Sequence, residues 1–163
     1  GSYMVGKKFS ILTFPLADAD VAHYLRMVES STPGLYSRGY FVKHPSCLSA
    51  AVSFIHGGGI KHMDIKPQNI FVRRSTKPAF PDDLVEVYLT DFGISRTVHD
   101  LNASATDGST GKTEMYCSPE VAAGEPRGKA TDVFSLGCVF AEMLTVMEGE
   151  TLDNFWSFRS DDG

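Results

Sequence analysis

In HMDIKPQN (residues 62–69) an Asp is followed two places on by a Lys and, three further, by an Asn; DFG follows at residues 91–93. Asn69 and Asp91 offer hard oxygen ligands of the kind that hold Mg²⁺ on a phosphate chain. Asp64 can accept the proton of an attacking hydroxyl and keep that hydroxyl in line. Lys66, two residues away, can balance negative charge developing on a transferred group. Gly93 lets the chain turn sharply after Asp91. The chemistry these spacings suggest is phosphoryl transfer.

Such groups need elements that bring a loop and a strand end together. The chain has 163 residues, 42% hydrophobic and 21% charged, which fits one globular domain with a real core. A net charge of −5 does not suggest a nucleic-acid-binding surface. Cys47, Cys117 and Cys138 are scattered and form no CxxC pair, so reduced thiols in an intracellular protein, cytoplasmic or nuclear, are expected. No leader pattern is found, and no membrane association is expected.

KFSILTF (8–14) reads as a buried strand stopped by Pro15. ADADVAHYLRMVES (17–30) reads as a helix capped by Asp18 or Asp20, with Val21, Tyr24, Leu25 and Val28 in its pattern. Residues 31–45 read as loop, and 46–59 as a helix burying Leu48, Ala51, Val52 and Ile55. Its closing GGG, with no P-loop Lys-Ser/Thr after it, reads as a helix stop rather than a phosphate cradle. NIFV (69–72) and VEVYLT (85–90) are strands that can pair as a hairpin. Residues 94–112 are polar and read as a surface loop, and the tail from Glu148 has no strong pattern. ATDVFSLGCVFAEMLTVM (130–147) is apolar nearly all round, and Asp132 and Gly137 favour a buried core helix over a membrane span.

Taken in order, HMDIKPQN resembles the protein-kinase catalytic loop, DFG the metal-binding motif and SPE (118–120) the end of the activation segment. DVFSLGCVFAEML resembles the central helix of a kinase C-lobe, with Asp132 bracing the catalytic-loop backbone. Lys66 after Asp64-Ile65 resembles the Ser/Thr type, and the texture is similar to fungal kinase-like proteins. The resemblance implies an α+β, protein-kinase-like fold: a mainly helical C-lobe with a short β-hairpin and the last N-lobe strand. Residues 1–16 would be that strand and the hinge, and 17–163 an incomplete C-lobe. It implies ATP and Mg²⁺ as cofactors and a protein with a Ser or Thr acceptor as partner.

The resemblance also implies individual roles. Thr13 would be the gatekeeper, while the Phe14 carbonyl and the Leu16 N–H would meet adenine. Val21, Ile70, Phe71 and Val72 would form the floor beneath it, although Phe71 and Val72 are equally readable as core. Asp20 is read evenly as a ribose ligand or a helix cap. Thr113 would brace Asp64 and Lys66, and residues 113–119 would receive the substrate peptide. His62 is expected to be packed and structural.

Met63 stands where the family has the Arg that meets an activation-loop phosphate, so control by that pair should be weak. The glycine-rich loop, the Val-Ala-Ile-Lys lysine and the Arg that would pair with Glu120 are not in these residues, as if the domain were truncated at both ends. Phe155, Trp156 and Phe158 are expected either to patch the core or to mark a cut. The isolated chain is therefore expected to be weakly active or inactive without an N-lobe or a partner chain. The alternatives are a non-catalytic kinase-like scaffold and a truncated pseudoenzyme.

Overall fold

A computed structural model describes residues 1–11, 14–31, 39–74, 85–92, 96–97 and 115–160, with the backbone alone at 11, 39–42 and 96–97. The fold is mixed, with helices around a small antiparallel sheet and a separate N-terminal hairpin.

Helix α1 (Val21–Glu29) starts where Asp20 accepts a hydrogen bond from the His23 N–H at 2.7 Å. This cap satisfies one of the amides that a helix start leaves open. Val21, Tyr24 and Leu25 recur at helical spacing and are buried. Helix α2 (Gly39–Gly57) buries His44, Leu48 and Val52, one turn apart each. The loop expected through residue 45 is thus helical from Gly39 onward, with Pro45 inside. Pro45 removes one helical donor. What carries the helix past it is the buried stripe, together with the His44 ring, whose Nε2 lies 3.2 Å from the Val85 carbonyl. Gly59 at φ +75° turns the chain out of α2, as the helix-stop reading expected.

The N-terminal strand has a partner. Strand β1 (Ser2–Val5) pairs antiparallel with β2 (Lys8–Ile11) around Gly6 at φ +61°. It is not buried: Phe9 is 64% exposed. Among the described residues nothing covers this hairpin, so its β-branched and aromatic residues fold as a pair without joining the core.

Strand β3 (Ala19–Asp20) pairs with β5 (Ile70–Arg74), and β5 with β6 (Val85–Leu89), in the order β3-β5-β6. The expected hairpin is present with Ile70 opposite Leu89 and Val72 opposite Val87. A two-residue strand β4 (Ile60–Lys61) pairs with β7 (Arg96–Thr97). Short helix α3 (Pro119–Ala122) follows, then the central α4 (Lys129–Met147).

Among the described residues α4 is the one helix long and apolar enough to cross a membrane by length and composition. It lies instead in the core: Leu136, Val139, Met143 and Val146 pack against α1 and α2, and Asp132 and Glu142 are buried with partners. The tail left without a pattern forms α5 (Leu152–Ser160), anchored by buried Leu152. Its apolar stripe is weak, so tertiary contacts rather than periodicity hold it.

Candidate active site

The catalytic-loop segment is held from below by one carboxylate. Asp132, 1% exposed on α4, accepts the His62 N–H on Oδ2 and the Met63 N–H on Oδ1, both at 2.8 Å. His56 Nε2 meets the same Oδ2 at 2.8 Å. This is the brace that the sequence placed at Asp132. Met63 takes φ 71°, a left-handed geometry that costs a side-chain-bearing residue roughly 1–2 kcal/mol. The Asp132 bond, and one from Arg127 Nη1 to the Met63 carbonyl at 3.3 Å, hold it there.

His62 is fully buried and links the loop to the strand end. Its Nδ1 accepts the Asp64 N–H at 3.3 Å, and its Nε2 lies 2.8 Å from the Thr90 carbonyl. An amide only donates and a carbonyl only accepts, so the pair selects the Nε2–H tautomer. The Phe92 ring packs at 4.8 Å from the imidazole. His62 is thus the packed structural residue expected.

Above this base three side chains converge. Asp64 Oδ2 lies 2.7 Å from Lys66 Nζ and accepts from Asn69 Nδ2 at 2.8 Å. The same Asn69 amide donates to the Asp64 carbonyl at 2.8 Å. A single 3₁₀ turn, Pro67–Asn69, swings Asn69 back toward Asp64. Asn69 is also tied to the end of β6, its carbonyl accepting the Thr90 N–H at 2.9 Å and the Thr90 hydroxyl at 3.0 Å. Asp91 follows directly, exposed, at φ 60°. Asp tolerates that region better than most residues.

The donor set fits Mg²⁺ in its usual style. The Asn69 side-chain nitrogen is spent on Asp64, which leaves the side-chain Oδ1 for a hard cation, and Asp91 is an exposed carboxylate one residue past Thr90. Among the described residues no group of three or more His, Cys, Asp or Glu forms a closed metal cage. Mg²⁺ prefers one or two protein oxygens completed by phosphate and water, so the open arrangement suits it.

The expected nucleotide residues divide. Phe14 and Leu16 lie at the surface, 91% and 84% exposed. Asp20 acts as the helix cap, one of its two readings, and sits opposite Phe71 in the sheet. Phe71 is 36% exposed, whereas Val21, Ile70 and Val72 are buried in the core. Strand alternation turns Ile70 and Val72 away from the face of Phe71, while Val21 is buried as the first residue of α1. Of the four floor candidates Phe71 alone reaches the surface, and Val72 takes the core position that was its other reading. Thr13, Gly93 and Thr113 lie outside the described residues.

On the segment leading into α3, Ser118 is fully buried and its hydroxyl lies 3.4 Å from Thr131 Oγ1. Thr131 in turn donates to Glu120 Oε1 at 3.2 Å. The Glu120 carboxyl is held below its ordinary range by its own backbone N–H first, then by the Ser118 and Thr131 hydroxyls. Sequence reasoning assigned nothing to Glu142. It is 2% exposed and accepts from Tyr116 Oη at 2.7 Å and Trp156 Nε1 at 2.9 Å. Desolvation pushes its carboxyl up, and desolvation followed by the Glu142 charge pushes the Tyr116 hydroxyl up. The only signal in sequence was an acid in an otherwise apolar helix.

The sequence profile of the protein kinase domain matches residues 6–151. The chain belongs to the protein kinase domain family. It is 40% identical over 96 residues to serine/threonine-protein kinase PknB of Mycolicibacterium smegmatis, covering 58% of this chain and 14% of that protein. A probable serine/threonine-protein kinase of Clostridium acetobutylicum is 36% identical over 104 residues, covering 64% of this chain and 14% of that protein. The probable serine/threonine-protein kinase gdt4 of Dictyostelium discoideum is 36% identical over 101 residues, 60% of this chain and 6% of that protein. The chain thus matches a small part of the length of these relatives.

Proposed function

We propose that this chain carries the acceptor-activating and metal-holding part of a protein serine/threonine kinase that uses ATP and Mg²⁺. One observation carries the reading: Lys66 Nζ and Asn69 Nδ2 meet on the same oxygen of Asp64, on a loop pinned by Asp132. With Oδ2 engaged, the second oxygen of Asp64 is left to accept the proton of a Ser or Thr hydroxyl and orient it. Lys66 sits beside that carboxylate and balances charge on the transferred group. Asn69 and Asp91 would hold Mg²⁺, which when bound would neutralise charge on the phosphate chain.

In the same reading Phe71 lies under adenine, the Phe14 carbonyl and Leu16 N–H pair with its edge, and the second oxygen of Asp20 reaches the ribose. Thr113 braces Asp64 and Lys66. An N-lobe or partner chain supplies the remaining phosphate contacts.

Calorimetric titration with ATP, with and without Mg²⁺, tests this site. The expected result is binding that needs Mg²⁺ and weakens at least about tenfold in Asp91→Ala, the loss of one charge-assisted contact. Binding indifferent to both Mg²⁺ and Asp91 would overturn the metal assignment. Metal-dependent binding with no transfer to any acceptor would assign the chain to the scaffold reading instead.

A further inference from the structure

Glu142 is an expensive residue where it stands. A carboxylate buried in an apolar helix loses its hydration, and an apolar side chain there would stabilise α4 at least as well. What the carboxylate adds is direction. Its Oε1 accepts from Tyr116 at 2.7 Å and from Trp156 at 2.9 Å, two donors from parts of the chain 40 residues apart, on the segment before Pro119 and on α5. Tyr116 is held a second time where the Ser135 hydroxyl meets its carbonyl at 2.7 Å.

The α5 end of the link is itself fixed. The Arg26 guanidinium lies 4.7 Å over the Trp156 ring and bonds Asp153 at 2.7 Å and Glu29 at 3.1 Å. Glu29 also accepts the Leu152 N–H at 3.0 Å. Helix α5 is therefore stitched to α1 along its first turn, and Trp156 passes that constraint to Glu142.

We infer that Trp156 is a positioning residue: through the shared Glu142 oxygen it orients Tyr116, and so makes α5 a brace for residues 115–119. The functional meaning of this brace, support of the surface that receives an acceptor peptide, rests on the kinase reading above. The physical link does not.

Trp156→Phe keeps the ring beneath Arg26 and removes the N–H; Tyr116→Phe keeps its ring and removes the hydroxyl. Amide hydrogen exchange measured on the 163-residue protein is expected to quicken about tenfold over residues 115–118 in Trp156→Phe, with α1 and α4 unchanged. A merely structural Trp156 would quicken exchange throughout. Trp156 is the only tryptophan of the chain, so its emission reads the other end of the link. Tyr116→Phe is expected to shift that emission, because the two donors share one oxygen. If Trp156→Phe does not fold, the emission of Tyr116→Phe decides alone. Unchanged emission, or exchange at 115–118 no faster than elsewhere, overturns the brace. Phosphate transfer from ATP to dephosphorylated casein is assayed on the same preparations. A wild type that neither binds ATP in Mg²⁺ nor transfers phosphate defeats the kinase reading while leaving the exchange result to judge the brace.

Discussion

At the scale of single residues, the site is organised by carboxylates doing different jobs. Asp132 is buried and structural, Asp64 is shared between Lys66 and Asn69, and Asp91 is exposed. Replacing Asp132 with Ala strands two backbone amides and the His56 donor. We expect a loss of roughly 3 kcal/mol of stability, read by denaturant titration, since each orphaned buried donor costs about 1–3 kcal/mol. A loss under about 0.5 kcal/mol would contradict the brace. His44 gives a pH-dependent counterpart. Burial lowers its pKa below the ordinary 6.5, with the Val85 carbonyl opposing more weakly. The unfolded chain then binds more protons than the folded one between the two values, so stability rises with pH there. We expect the melting temperature to fall as pH drops below 6.5 and this fall to shrink in His44→Gln. An equal fall in both proteins would remove His44 as the cause.

At the scale of elements, local signals and long-range contacts decide different things. The Asp20 cap, the β5–β6 pairing, the stop after α2 and the central α4 were all legible, because each rests on residues close in sequence. The approach of Lys66 and Asn69 to Asp64 was legible for the same reason: five residues and one Pro-led turn bring them together. The beginning of α2 was hidden by Pro45, and α5 by its weak periodicity. Both depend on partners far along the chain, Val85 for one and Glu29 and Glu142 for the other. Within the expected nucleotide floor Ile70, Phe71 and Val72 look alike in sequence until strand alternation sorts them. Helix α2 allows a direct check. Pro45→Ala restores a donor inside the helix, and a Pro there costs about 3 kcal/mol relative to Ala. We expect a gain of roughly 1–3 kcal/mol, because the freed unfolded chain returns part of it. No gain in a thermal melt would place Pro45 outside the helix.

At the scale of the whole molecule, the chain is a helical body around α4, with the proposed chemistry on a loop braced by that helix and with an exposed N-terminal hairpin. Its buried side is well supplied with polar partners at Asp132, Glu142 and Asn69, which fixes the loop before any ligand arrives. Phe14 and Leu16, by contrast, are exposed where the proposed nucleotide would sit. The account therefore separates a preorganised catalytic base from a nucleotide edge that needs further contacts, and it expects slow transfer rather than none. The measurement that tests this most directly is phosphate transfer from radiolabelled ATP to dephosphorylated casein in Mg²⁺, comparing the protein with Asp64→Asn while ATP binding is followed in parallel. The account predicts transfer that falls at least about a hundredfold in Asp64→Asn with ATP affinity kept within about threefold, the pattern of a lost general base. Transfer at the same rate in both proteins would contradict it.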